Sequence, residues 1–243
     1  MPTVLVTGAS RGIGLELVRQ YATRGWQVIA TVRNRTSAGE LAALQRQFPA
    51  IDIEPLDVAQ HGQAFVLANR LRGRPIDVLL HNAGVAPGNL AAAIFPQVDY
   101  QLCRDVLETN LWPVLWITEA LLANVLASEQ RKIMIMSSAA GSIGSLARFK
   151  GPSQGGYHYR ISKAALNMVA SLLAKDLADQ GVTVGILSPG QVDTELGRGG
   201  ATATPPNLVP VEKSVSGLLG VIDAFNLESS GKFIRYTGLE VPF

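Results

Sequence analysis

Two tyrosines, a histidine and a lysine fall within seven positions of the stretch YHYRISKAALNM, residues 157–168. A phenol can donate a proton, but its ordinary pKa of about 10 is high for a group that must also take the proton back. A neighbouring ammonium favours the phenolate and lowers that pKa. The apolar run that follows predicts a helix, and on a helix residues four apart share a face. Tyr159 and Lys163 have that spacing, whereas Tyr157, six before the lysine, points elsewhere. Tyr159 is therefore the expected proton donor. Tyr157, at the junction with the preceding loop, is expected to touch substrate or pack, and His158 to orient or pack.

Other elements must hold such a pair in place. Short β-branched runs read as buried strands at 3–7, 27–32, 51–56, 77–81, 132–137, 182–188 and 232–236. Helical patterns lie between them. Continuous apolar strands alternating with helices predict an α/β fold: a doubly wound parallel sheet of about seven strands, with helices on both faces. No composition break marks a boundary, so residues 1–243 are read as a single domain. Two stretches read as long loops, 141–156 and 193–210. The second is rich in Gly, Thr and Pro and is expected to be a mobile substrate lid.

The first strand runs into TGASRGIG. Here a strand must turn sharply into a helix, leaving backbone N–H groups facing outward at the helix start. That arrangement suits a pyrophosphate, which side chains at the glycine positions would block. The loop residues Gly8, Ser10, Arg11, Gly12, Ile13 and Gly14 are thus candidate dinucleotide contacts. An acidic residue often follows the second strand to bind ribose hydroxyls, yet between Glu16 and Glu40 there is no Asp or Glu. Arg33 and Arg35 stand there instead, with Arg11 in the loop. Forked cationic donors suit a 2′-phosphate, so NADP(H) is expected over NAD(H).

Several signals then occur in one order: TGASRGIG at 7–14, NAG at 82–84, Asn110 in ETNLW, SSAAG at 137–141, Tyr159 and Lys163 in YRISK, and SPGQVDT at 188–194. Together they resemble the short-chain dehydrogenase/reductase superfamily, and within it the C-factor-like and sniffer-like carbonyl reductases. The resemblance spans nearly the whole chain. It implies a Rossmann-type fold and NADPH-dependent reduction of a ketone or aldehyde to an alcohol. It further implies Ser138 as the residue steadying the carbonyl oxygen, Lys163 as a holder of the nicotinamide ribose, and Asn110 as the residue whose backbone carbonyl holds a proton-relaying water. Asp57 and Val58 would contact adenine. Asn82, Ala83 and Gly84 would line the cofactor, and Pro189, Gly190, Val192 and Thr194 the nicotinamide end. The 21 positions from Ser138 to Tyr159 exceed the common family spacing, which places an insertion at the expected mouth of the site. By resemblance the chain is expected to form a homodimer or homotetramer through the helices holding residues 110–127 and 159–178.

Composition narrows the alternatives. With 47% hydrophobic and 16% charged residues the chain can bury a large core. The net charge of +2 comes from scattered residues, so no nucleic-acid or membrane-surface role is expected. The single cysteine, Cys103, and the N-terminal sequence suit a reducing cytoplasm. The three histidines, His61, His81 and His158, lack ligand spacing, and no metal is expected. A non-catalytic NADP(H) sensor on the same scaffold, or alcohol oxidation by the same site in reverse, are the alternatives. The sensor would have no need for Ser138, Tyr159 and Lys163 together.

Overall fold

Strands buried on both faces require a helical layer on each side, and the computed structural model supplies both. It describes residues 1–34, 39–86, 94–147, 156–198 and 207–243. Seven strands form one parallel sheet: β1 (Thr3–Val6), β2 (Gln27–Val32), β3 (Ile51–Pro55), β4 (Val78–His81), β5 (Lys132–Met136), β6 (Thr183–Ser188) and β7 (Phe233–Arg235). Their order is β3-β2-β1-β4-β5-β6-β7. All seven lie within the segments expected from sequence, and the single doubly wound α/β arrangement is as expected.

On one face, α1 (Gly12–Thr23), α2 (Gly39–Gln47) and α9 (Val211–Ala224) cover a core that includes Val4, Leu17, Tyr21, Val28 and Leu218. On the other, α3 (His61–Arg70), α5 (Trp112–Leu126) and α7 (Tyr157–Asp176) cover Leu5, Ile29, Leu79, Ile133 and Ile186. Successive strand residues alternate between these two clusters, as side chains on a pleated strand must.

The chain crosses from β3 at one edge to β4 beside β1, so the order reverses between β1 and β4. Loops leaving those two strands diverge to opposite faces and open a crevice at their carboxyl ends, where ligands of such sheets bind. Thr7 closes the floor of that crevice: its hydroxyl accepts hydrogen bonds from the backbone N–H groups of Asn82, at 2.9 Å, and Ala83, at 3.1 Å.

Two helices, not one, lie between β4 and β5 among the described residues. α4 (Tyr100–Asn110) ends one residue before α5 begins, with Leu111 between them at φ −108° and ψ −66°. Pro113 has no N–H to donate, and the Val114 N–H donates to the Leu111 carbonyl at 3.2 Å, so the regular pattern lapses across residues 109 and 110. The helix is fully broken beside Asn110. The stretch 141–156 also differs from a plain loop: α6 (Ile143–Leu146) lies within it, while residues 148–155 fall outside the described residues. The expected lid begins with α8 (Glu195–Arg198), and its residues 199–206, like Arg35, fall outside them too. Its two ends are tied together, Asp193 N–H to the Val209 carbonyl at 2.9 Å and Val209 N–H to the Gln191 carbonyl at 2.8 Å. Among the described residues no helix is long and apolar enough to cross a membrane.

Candidate active site

The glycine turn sits at the carboxyl end of β1 against the loop leaving β4. Gly8 has φ +69°, and a Cβ there would stand 2.9 Å from the Cα of Ala83. A Cβ on Gly14 would stand 2.6 Å from Asn82 Nδ2. These two positions leave no room for a side chain, because Asn82 Nδ2 itself donates to the carbonyls of Thr7, at 3.0 Å, and Gly8, at 3.1 Å. The asparagine pins the turn from behind, so the start of α1 faces outward. Arg11 occupies the N-cap of α1 without a side-chain capping bond, and the first turn holds no acidic residue. The free N–H groups and the dipole of that helix end are therefore available to an anion. Ser10 and Ile13 are half-buried in the same turn.

The remaining cofactor candidates surround this turn. Arg33 is exposed just past β2 and makes no ion pair with a described residue. Arg11, by contrast, is ion-paired with Glu195 of α8, across an exposed gap. Asp57 follows β3 and accepts from the Ala59 N–H at 3.1 Å, while the Val58 carbonyl accepts from Trp116 Nε1 at 3.1 Å. Trp116 thus fixes a peptide of the expected adenine site, a role its place on a long apolar helix did not reveal. At the other end, a Cβ on Gly12 would stand 3.4 Å from Thr194 Cγ2, which brings the SPGQVDT stretch over the glycine turn. Gly190 has φ +82°, where a Cβ would stand 2.9 Å from the Tyr236 ring. Ser214 Oγ donates to the Pro189 carbonyl at 2.7 Å, and Val192 is buried.

The catalytic candidates converge between β5 and α7. Ser138, two residues beyond β5, brings its side chain to the Tyr159 phenol. Lys163, one turn along α7 from Tyr159, places Nζ 5.7 Å from the centre of the Tyr159 ring. The helix can come this close because residue 141 is glycine; a Cβ there would stand 2.7 Å from the Ala164 nitrogen of α7. Gly84 joins the group: its Cβ would stand 3.3 Å from Asn110 Oδ1 and 3.6 Å from Lys163 Nζ. The Asn110 side chain accepts from Val85 N–H at 2.7 Å and donates to the Val85 carbonyl at 2.9 Å and to Ser162 Oγ at 3.0 Å. Ser162 Oγ in turn donates to the Tyr159 carbonyl at 2.8 Å. Asn110 therefore ties the β4 loop to α7, a side-chain duty that sequence reasoning did not foresee.

The neighbouring residues are structural. Ser137 Oγ donates to Asn167 Oδ1 at 2.5 Å, anchoring the end of β5 to α7. His81 Nε2 bonds Thr118 Oγ1 at 3.0 Å, and burial pushes this imidazole down to about 3, so it stays neutral. His158 is buried at the start of α7, and Tyr157 is half-buried. Among the described residues no three His, Cys, Asp or Glu side chains group as metal ligands.

The electrostatics depart from the expected lowering of the Tyr159 pKa. Burial pushes the Tyr159 phenol up, and the Ser138 hydrogen bond offsets this only in part. Lys163 directs Nζ to the Met136 carbonyl at 2.9 Å, and burial pushes its own pKa down to about 8. An ammonium that is itself disfavoured does little to stabilise a phenolate.

The sequence profile of the family described as short chain dehydrogenase matches residues 2–203. A 1-hydroxy-2-glutathionyl-2-methyl-3-butene dehydrogenase from Rhodococcus sp. strain AD45 is 36% identical over 244 residues, covering 98% of each chain. The NADPH-bound carbonyl reductase from chicken fatty liver superposes with a TM-score of 0.89 at 30% identity, over 100% of this chain and 99% of that one. The carbonyl reductase Sniffer of D. melanogaster gives 0.87 at 28% identity over the full length of both.

The buried ammonium makes stability depend on pH. With a native pKa near 8 and an unfolded pKa of about 10.4, the unfolded chain binds more protons between these values, so this group's contribution to stability rises with pH across that window. Below pH 8 the cost of burying the charge is fully present. Lys163→Met should thus be more stable than the unaltered protein at pH 7, by about 1–3 kcal/mol. The gap should close towards pH 10. Urea unfolding at both pH values checks this; a gap that widens with pH would show that Lys163 stabilises the fold.

Proposed function

The chain belongs to the short-chain dehydrogenase family of oxidoreductases, and on that premise we propose that it reduces a ketone or aldehyde with NADPH, Tyr159 being the proton donor. The observation that carries this reading is the placement of the Ser138 side chain beside the Tyr159 phenol, with Lys163 one helical turn away. It brings two hydroxyl groups from different elements to one point, where a carbonyl oxygen can accept from both.

NADPH supplies the hydride when bound. Gly8, Gly12 and Gly14, with the uncapped start of α1, suit its pyrophosphate, and Arg33 suits its 2′-phosphate. Arg11 can join only by giving up Glu195. As hydride adds to the carbonyl carbon, negative charge grows on the oxygen. Ser138 donates a hydrogen bond to it and Tyr159 Oη delivers the proton, leaving a phenolate. Lys163, one turn along α7 with its Nζ held at the Met136 carbonyl, is the group through which the proton is replaced. The raised pKa of the Tyr159 phenol favours the reductive direction, because the donor stays protonated at neutral pH. The substrate is a small carbonyl compound.

Among the described residues, two helices present an exposed apolar surface: Trp112 and Leu115 on α5, and Ile161, Met168 and Leu172 on α7. The last three are 7 and 4 residues apart along α7, which places them on one stripe. A second copy covering this stripe gives a dimer.

Three outcomes are expected. Removing a general acid costs about 10²- to 10⁴-fold in rate. Tyr159→Phe should lose that much in kcat while still binding NADPH, and Tyr157→Phe should change KM more than kcat. A larger kcat loss in Tyr157→Phe would reverse the assignment. Arg33→Asp should shift the NADPH-over-NADH preference by about ten- to a hundredfold, the worth of one hydrogen bond to a charged group. Equal Kd values for the two cofactors in the unaltered protein would remove the role of Arg33. Sedimentation should show a dimer or larger assembly that Met168→Asp reduces to smaller species; an unaltered protein that sediments as a monomer sinks the interface.

A further inference from the structure

The last five residues do not trail into solvent. Beyond β7 the chain reverses and runs back antiparallel to it: the Arg235 N–H donates to the Leu239 carbonyl at 2.8 Å and the Val241 N–H to the Phe233 carbonyl at 2.7 Å. Val241 is buried in the core cluster that also holds Phe233. The ring of Phe243 lies 6.0 Å from that of Phe233, centre to centre. This return strand covers the open edge of β7, which an exposed edge strand requires.

From there the segment reaches the turn that follows Ser138. The Gly144 N–H donates to the main-chain oxygen of Phe243 at 2.6 Å, and Ser142 Oγ donates to the Pro242 carbonyl oxygen. A Cβ on Gly144 would stand 2.8 Å from that Phe243 oxygen and 3.1 Å from Pro242 Cβ, so the two backbones touch. Ser142 is buried and also caps α6, accepting from the Ser145 N–H at 2.9 Å.

The stretch after Ser138 is thus anchored twice, by different partners. Residues 138–141 are held by α7: Ser138 by Tyr159, and Gly141 by backbone contact with residues 163 and 164. Residues 142–146 are held by Pro242 and Phe243, which belong to the other end of the chain. The first anchor sets the reacting hydroxyls. The second sets the turn that continues from them in the chain, which carries Ile143 and Leu146, two exposed apolar side chains five and eight residues beyond Ser138.

We propose that Pro242 and Phe243 are positioning residues for substrate selection: they strap the 142–146 turn in place and so fix one wall of the carbonyl site. This rests on the carbonyl-reductase reading above. A loosened wall leaves hydride and proton transfer intact but weakens the grip on a substrate large enough to reach it. Small aldehydes, contacting only Ser138 and Tyr159, are indifferent to the strap. The device is a long-range one, since the contacting residues are about 100 positions apart in sequence.

Two variants test this, Gly144→Val, which pushes the strap away, and Phe243→Ala, which removes its ring anchor. The readouts are kcat and KM for propanal and for benzil, the NADPH Kd, and hydrogen exchange of the 142–146 amides. Both variants should exchange those amides at least tenfold faster and raise KM for benzil at least fivefold. The kcat values, the propanal KM and the NADPH Kd should stay within twofold. Unchanged exchange would overturn the strap. Faster exchange with no change in KM for benzil would overturn its role in selection, as would KM for both substrates and NADPH Kd rising together, the mark of general loosening. An unaltered protein that binds NADPH but reduces neither compound would instead overturn the carbonyl-reductase reading, and the exchange rates alone would then decide whether the strap holds the turn.

Discussion

A charged amine enclosed by protein must find an oxygen, and Lys163 finds the carbonyl of Met136 at the last residue of β5. That bond fixes more than the lysine. It holds α7 against the carboxyl end of the sheet, where Gly141 permits contact of backbone on backbone. It thereby fixes the height of Tyr159, one turn earlier, opposite Ser138, two residues beyond Met136. The arrangement is costly, since burial opposes the charge. It persists because the packing of α7 on the sheet, through Leu166, Ala170 and Ala174, outweighs it.

The second dependence is the reversal of strand order between β1 and β4. Because the two loops diverge, backbone groups at the ends of both strands are left without a neighbouring strand. Thr7 and Asn82 satisfy several of them with side chains. The glycine turn is thereby rigid before any ligand arrives, and a preformed anion site costs less ordering on binding. Asn110 does the same for the loop after β4, joining Val85 to Ser162. The broken helix makes this possible: at its terminal turn the asparagine side chain can turn to the loop.

Much of this was legible in the chain because it is local. Strands showed as β-branched runs, and the Tyr159–Lys163 spacing needs only a helix to become a contact. Gly8 and Gly14 announced a crowded turn. What stayed hidden depends on partners distant in sequence. Trp116 sits in an apolar helical stretch, yet its indole N–H reaches Val58, 58 positions away. Nothing in the spacing singles out Ser162, between Tyr159 and Lys163, yet it is the partner of Asn110. Lys163 read as the group that acidifies Tyr159; the enclosed site disfavours both charges, and no spacing reveals burial.

The sequence by itself determined the order of elements, the face on which Tyr159 meets Lys163 and the turn that only glycine can make, because each follows from steric and periodic rules acting over a few residues. The tertiary structure alone decided how closely Ser138 and Tyr159 approach, which carboxylate takes Arg11 and what holds the turn after Ser138. Those contacts close loops of 21, 184 and about 100 residues. Their geometry is set by how the layers pack, and chain connectivity places no limit on such partners beyond a slowly growing closure entropy.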